Sequence, residues 1–337
     1  MNPTHKKILS ILIMLIFIAL AIYYVKTNYS EFKTLKLQNP TLILIIVPLF
    51  LFQYLFISII TKSLLNPFNV KISLYESFGL SITTGFYNLI TPFKGGMAAR
   101  AVYLKKKHGF SYIDFLSTLG ASYIITFLIT SFLGILSIFL IYLNGGIFSR
   151  LLLIIFLVFF LGPLFVIVFS PQIKETKNSF INMSRIGFSK VTILEHDQEP
   201  RKHFGINSRR VLDKFIKLAN SWNLIKNNGK LIFIISLVSL AQLIIGVIML
   251  YLQFRVFGID VGLAECLFWI SIGSLGIIVA ITPAGLGINE AIAVFSALTI
   301  GITPTQSLSV ALLGRAVSLI VLFILGPIFS YILLKKR

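Results

Sequence analysis

The chain has 337 residues, 57% of them hydrophobic and only 12% charged. A soluble domain carries roughly 25% charged residues, so lipid is the main solvent and an ordinary water-soluble enzyme is excluded. The formal net charge of +19 invites a nucleic-acid reading, but basic residues gather in the cytoplasmic loops of membrane proteins. The charges follow that rule here, and no nucleic-acid partner is expected.

A helix rises 1.5 Å per residue and needs about 20 apolar residues to cross a hydrocarbon core of about 30 Å. In chain order, Ile8–Val25, Thr41–Ile60, Ile113–Leu143, Leu151–Phe169, Leu231–Leu252 and Thr305–Leu334 reach or approach that length. Lys6 and Lys7 before the first stretch resemble a signal-peptide n-region. However, its apolar run is long for an h-region, and no small-residue cleavage site follows Tyr23-Tyr24-Val25-Lys26, so a retained anchor is expected. With the N-terminus inside, 24 Lys and Arg fall on the inner side and five on the outer, leaving Arg315 within a span. Both termini are therefore expected in the cytoplasm of a multi-pass cell-membrane protein.

Two regions fit neither simple spans nor loops. Residues 73–107 and 263–303 each hold a mostly apolar segment, a break rich in Gly and Pro, and a shorter apolar segment. The breaks read Thr91-Pro92-Phe93-Lys94-Gly95-Gly96 and Thr282-Pro283-Ala284-Gly285-Leu286-Gly287. Proline removes an amide donor and glycine permits unusual dihedrals, so neither stretch continues a helix. At membrane depth such backbone is tolerated only inside protein or against a wet cavity. Sliding the sequence by 191 residues superposes Ile90-Thr91-Pro92 on Ile281-Thr282-Pro283 and Gly96 on Gly287. The first region starts from the inside and the second from the outside, which is the signature of an inverted repeat. The expected fold is an all-α polytopic membrane protein of about six full spans plus two re-entrant or broken helical hairpins in an inverted repeat. One membrane domain covers 1–337, with a first half at 41–143 and a second at 231–334.

Between the halves, residues 174–230 form a basic cytoplasmic loop. Val211, Phe215, Leu218, Trp222 and Ile225 recur there at helical spacing beside Arg209, Arg210, Lys214 and Lys217. An amphipathic helix on an anionic inner leaflet is one reading; a basic linker without a lipid role is the other. The single cysteine, Cys266, lies in an apolar segment and is expected to be a free buried thiol.

Catalytic constellations are missing. His5, His108, His196 and His203 fall in loops without metal spacing, Gly285-Leu286-Gly287 is not a dinucleotide fingerprint, and no Walker lysine follows a glycine loop. No cofactor or metal, and no enzymatic activity, is expected. What remains is a sparse set of polar groups. Ser73, Ser77, Ser81, Thr84 and Asn88 form a stripe, widened by Glu76, Thr83 and Tyr87, which reads as a hydrated groove or, more plainly, as interhelical hydrogen bonding. Arg315 lies near mid-depth, where a charge costs roughly 2.5–3.5 kcal/mol. Glu290 is its nearest candidate partner in sequence; the arginine serves either a structural pair or an anionic substrate. The returning helices begin at Gly95–Gly96 and Gly287–Ile288, and helix N-termini favour phosphate or carboxylate. Lys94 and Arg100 reinforce the first, although Arg100 also fits an ordinary topology signal with Lys105, Lys106 and Lys107.

Thr91-Pro92-Phe93-Lys94-Gly95-Gly96-Met97-Ala98-Ala99-Arg100-Ala101 resembles the first motif of the flippase-like membrane domain family, typified by the transmembrane half of lysylphosphatidylglycerol synthases. Pro283-Ala284-Gly285-Leu286-Gly287, with Asn289-Glu290 and later Arg315, resembles its second. The resemblance implies movement of lipids between leaflets and supports Pro92, Gly95, Arg100, Pro283, Gly285, Gly287, Glu290 and Arg315 as functional positions. Many members carry a glutamate where Gly96 stands and an acid–arginine pair near Ser122–Tyr123, so the head group does not carry over. The soluble aminoacyl-transfer domain has no counterpart in the sequence, and lipid aminoacylation is not expected. The leading expectation is a lipid flippase or scramblase whose partners are membrane lipids with anionic or zwitterionic head groups. The substrate-binding candidates are Arg315, Glu290, Arg100, Lys94, Asn88, Gly95, Gly96, Gly285, Gly287 and Asn289, with Pro92 and Pro283 as breaks. The alternatives are a carrier of a small soluble anion and a non-transporting partner of an envelope-lipid enzyme; a homo-oligomer is also compatible.

Overall fold

The computed structural model describes residues 26, 36–146, 148–170, 202–276 and 282–335, without side-chain detail at 202–213 and 284. The expected span Ile8–Val25 and most of the basic loop lie outside the described residues. All regular structure among the described residues is helical. The α-helices are α1 (Ile43–Leu65), α2 (Leu74–Ile90), α3 (Gly95–His108), α4 (Tyr112–Leu143), α5 (Arg150–Phe169), α6 (Lys202–Lys226), α7 (Gly229–Val256), α8 (Leu263–Leu275), α9 (Ile288–Ile300) and α10 (Pro304–Lys335). Five helical segments are long and apolar enough to cross a membrane: Pro40–Phe68, Tyr112–Leu143, Arg150–Phe169, Gly229–Val256 and Pro304–Lys335. They coincide with the spans expected from hydropathy, and the protein is an all-α polytopic membrane protein.

The two interrupted regions form helix–break–helix units. At 1.5 Å per residue, α2 is about 26 Å long, α3 about 21 Å, and α8 and α9 about 20 Å each, so no arm alone matches a core of about 30 Å. Both breaks are short 3-10 turns that begin with proline, Pro92–Lys94 and Pro283–Gly285. The second turn takes its left-handed positions on Gly285 (φ 64°) and Gly287 (φ 84°), where no Cβ resists them. The first places Phe93 (φ 54°) and Lys94 (φ 53°) there instead, at roughly 1–2 kcal/mol per residue.

Packing between the halves is reciprocal. The long helix α10 runs along α2, the long helix α4 runs along α8, and α1 pairs with α7. The α2–α10 contact is built from small residues facing aromatic ones. A Cβ on Gly79 would lie 2.6 Å from the Phe329 ring, and one on Gly326 would lie 2.4 Å from Phe86. Apolar side chains gain little from each other over lipid, so such close backbone approach and buried hydroxyl bonds supply the association. Ser77 Oγ donates to Ser58 O at 2.7 Å and joins α2 to α1; Gln53 Nε2 donates to Gln242 O at 2.9 Å and joins α1 to α7.

Helix α6 confirms the expected helical spacing and docks on protein. Ser221 Oγ donates to Asp114 Oδ1 at 2.7 Å, and Ser117 Oγ donates to Leu218 O at 3.1 Å. Ile225 is buried among residues of α1, α4 and α7, with Trp222 packed beside it. Phe215 is left outward, 64% exposed.

Candidate functional site

The two breaks touch each other, and the Pro283–Gly285 turn also lies against α2. Their contact organises the polar residues of both units around a small cavity of about 340 Å3, lined by Asn88 from the end of α2, Asn289 and Glu290 from α9, and Arg315 from α10. Arg315 Nη2 lies 2.6 Å from Glu290 Oε1. The other oxygen, Glu290 Oε2, accepts the Gly287 backbone N–H at 2.7 Å. One carboxylate therefore neutralises the arginine and caps the first turn of α9. The Gly287 amide, expected to meet a substrate anion, is engaged by the protein's own carboxylate. Asn88 lines the same cavity, and its Oδ1 atom is buried without a hydrogen-bond partner among the described residues.

The first unit is arranged differently. Arg100 is on α3, and its Nη2 donates to Thr61 Oγ1 on α1. No carboxylate is within salt-bridge distance of it among the described residues, and its Nε is buried without a partner. Arg100 forms part of the wall of two cavities. A central one of about 510 Å3 lies among α1, α3, α4, α7 and α8 and includes Gln53, Thr61, Tyr123, Gln242 and Ser274. A lateral one of about 720 Å3 lies between α2, α3 and the end of α10 and includes Thr83, Tyr87, Lys106, Lys107, Leu333 and Leu334. Arg100 is thus an inward cation of the unit, and its reading as a mere topology signal beside Lys105–Lys107 loses ground to this placement.

Gly96 explains how α3 approaches α2. A Cβ there would lie 2.0 Å from Thr84 O and 2.7 Å from Asn88 Oδ1. Glycine is required for this crossing, and Gly96 borders the lateral cavity as a consequence. Gly95 stands at the start of α3 against Thr91, whose Oγ1 would lie 2.5 Å from an added Cβ. Lys94 lines neither cavity, and its Nζ lies 5.8 Å from the centroid of the Tyr123 ring on the central cavity's wall. Gly285 supplies its positive φ and lies beside the Asn289 amide.

At the other end of the first unit, Glu76 Oε1 gathers Tyr103 Oη at 2.7 Å, His108 Nε2 at 2.8 Å and Lys107 Nζ at 3.1 Å. This cluster ties the start of α2 to the end of α3. The polar stripe on α2 is divided. Ser77, Ser81 and Thr84 are buried and donate to backbone carbonyls, which is the plainer interhelical and intrahelical reading, whereas Thr83 and Tyr87 border the lateral cavity, as does Thr84 itself.

The pattern of two proline-led breaks in contact, with a charged residue behind each, is that of the motifs read in the sequence. The family described as lysylphosphatidylglycerol synthase TM region matches residues 7–326. This chain belongs to that family. No curated protein and no solved structure gives a match. Membership indicates a membrane function connected with lipids. The positions where many members are expected to be charged, Gly96 and Ser122–Tyr123, are the ones that surround Arg100 here: Gly96 borders the lateral cavity, and Ser122 and Tyr123 the central one.

Several residues of the site were not singled out from the sequence. Gln53 and Gln242 are lone amides in otherwise apolar spans, and that is the signal that marks them, whereas Thr61 sits beside Lys62 and Ser63 at the end of its run and carries no such signal. Their convergence with Arg100 depends on α1 meeting α7 and α3, which periodicity within one helix does not encode.

Proposed function

We propose that the protein moves a lipid head group between the leaflets of the cell membrane, as a flippase or scramblase, with both termini on the cytoplasmic side. On this reading the two helix–break–helix units are re-entrant hairpins of an inverted repeat. The reciprocal packing of α10 on α2 and α4 on α8 supports that arrangement. The observation that carries the proposal is Arg100, a cation without a carboxylate partner among the described residues that borders both a central cavity and a lateral groove. A head group at the cation and tails in lipid fit that geometry.

The groove wall of Leu80, Val102, Leu333 and Leu334 favours a substrate with acyl chains over a small soluble anion, which gains nothing from apolar surface. The reading assigns the protein no covalent step and no cofactor. Transport is tested by reconstitution into liposomes with head-group-labelled lipids and a leaflet-specific quencher. Accelerated loss of the protected signal is expected for at least one phospholipid or lipid-linked head group, and bare-liposome rates for all of them sink the proposal. Competition by lipids but not by their water-soluble head groups separates it from a small-anion carrier. A phenotype retained after Arg315→Ala and Glu290→Ala would favour a non-transporting partner of an envelope-lipid enzyme.

A further inference from the structure

We infer that this site selects a head group with net negative charge, a phosphate without a compensating amine, and discriminates against aminoacylated lipids. The inference rests on the lipid-moving reading above and adds the sign of the cargo.

The carboxylates with described side chains are Glu76, Asp114, Asp260, Glu265 and Glu290. Four are engaged by cations of their own: Glu76 by Lys107, Asp114 by Lys217, Asp260 by Arg255 and Glu290 by Arg315. Glu265 lies at the start of α8 beside Gly262. None of the five borders the central cavity or the lateral groove. The charged residues that do are Arg100, Lys106 and Lys107. Among these, Arg100 is innermost and common to both spaces.

The uncharged polar atoms reinforce the sign. Arg100 Nε, Thr83 Oγ1 on the groove and Ser239 Oγ on the cavity are buried without hydrogen-bond partners among the described residues. All three can donate, and buried donors require acceptors. A phosphate supplies several acceptor oxygens and matches the planar guanidinium fork. An ammonium supplies only donors, and it would approach Arg100 with no carboxylate among the described residues to offset the repulsion. A head group carrying both a phosphate and a lysyl or alanyl amine loses on the second what it gains on the first.

The experiment is a binding titration on the full chain in nanodiscs. Fluorescent phosphatidylglycerol is displaced by phosphatidylglycerol, by lysyl-phosphatidylglycerol of the same acyl chains, or by glycerol phosphate. Phosphatidylglycerol is expected to bind at least about tenfold more tightly than the lysyl form, one charge-assisted hydrogen bond's worth. Glycerol phosphate is expected to compete far more weakly than either. Arg100→Gln is expected to abolish the preference and Arg100→Lys to keep part of it. Tyr123→Glu, which puts a carboxylate on the cavity wall with Arg100, is expected to narrow the gap in favour of the lysyl lipid.

Equal or tighter binding of lysyl-phosphatidylglycerol by the unmodified protein overturns the inference without reference to any variant. An unchanged preference in folded Arg100→Gln overturns the assignment to Arg100. Glycerol phosphate competing as well as the lipid overturns the lipid source of the phosphate. The two readings fail separately: a binding preference with no translocation in liposomes removes transport and leaves selectivity. Equal translocation of both lipids keeps transport and removes selectivity.

Discussion

In the unit formed by α8 and α9, Arg315 finds a carboxylate 2.6 Å away, and that same carboxylate holds the turn that precedes the helix. In the unit formed by α2 and α3, Arg100 finds a threonine hydroxyl, and its Nε finds nothing among the described residues. The two units share a plan of arm, proline-led turn and returning arm, yet one has closed its electrostatics internally and the other has left them open. A buried charge that is paired and hydrogen-bonded is part of the architecture. One maintained without a counter-charge costs stability, and its retention points to a role outside folding. The second unit is thus closed by its own charges, whereas the open charge of the first fits the cargo-binding role proposed for Arg100.

Glu290→Gln is the sharpest way to break this contrast. It strands the Arg315 guanidinium; the two side chains are part-buried, 16% and 17% exposed, so the cost is somewhat below the about 3–5 kcal/mol of a fully buried pair. A large drop in melting temperature in detergent, or failure to accumulate in the membrane, is expected. Glu290→Met combined with Arg315→Met should recover most of that loss, because an apolar pair of similar volume is often neutral or stabilising. Arg100→Met strands no partner charge and should leave the melting temperature unchanged or raised. If Arg100→Met is as damaging as Glu290→Gln, the two arginines have equivalent roles and the contrast fails.

Gly96→Ala comes next, because its Cβ would meet Thr84 O at 2.0 Å, a backbone atom that cannot swing aside. Overpacking of this kind costs about 1–3 kcal/mol, read as a lower unfolding temperature. Gly120→Ala, where an added Cβ meets nothing within 4 Å, is the matched control and should show no loss. A smaller effect follows from Glu76→Gln at the base of the first unit, about 1–2 kcal/mol for weakened bonds to Tyr103, His108 and Lys107. Faster hydrogen exchange at the start of α2 and the end of α3, with α8 and α9 unchanged, is the expected signature. The smallest is Lys94→Gln. It removes a cation–π contact worth about 0.5–1 kcal/mol and should move stability barely beyond error while sparing the anionic-lipid preference.

Much of this molecule is readable from its residues. Long apolar runs mark the five described spans because length and hydropathy are one-dimensional properties. Pro92 and Pro283 mark the breaks because proline acts on its own backbone. Glu290 and Arg315 could be paired in advance, since a lone cation and a lone anion on consecutive helices have few other options. Arg100 was readable as a charge but not as an unpaired one. Its only hydrogen-bond partner among the described residues, Thr61, is 39 positions away on α1, and the meeting depends on tertiary packing. Ser77 and Ser81 show the same limit from the other side. Helical spacing put them in one polar region with Thr83, but it did not tell that their hydroxyls end on carbonyls and that of Thr83 on none among the described residues.

The clasp of α10 around α2 has a consequence for how the protein is made. At about 5–20 residues per second, roughly ten to forty seconds of translation separate the end of α2 from the start of α10. Throughout that interval the face of α2 bearing Gly79 has not met Phe329, the ring that will cover it. A short helix carrying a glutamate and a run of hydroxyls is a poor guest for bare hydrocarbon. The first unit is therefore expected either to settle late or to be sheltered by the insertion machinery until the final helix leaves the ribosome. Biogenesis, on this view, closes at the two ends of the chain, and the first unit is completed last.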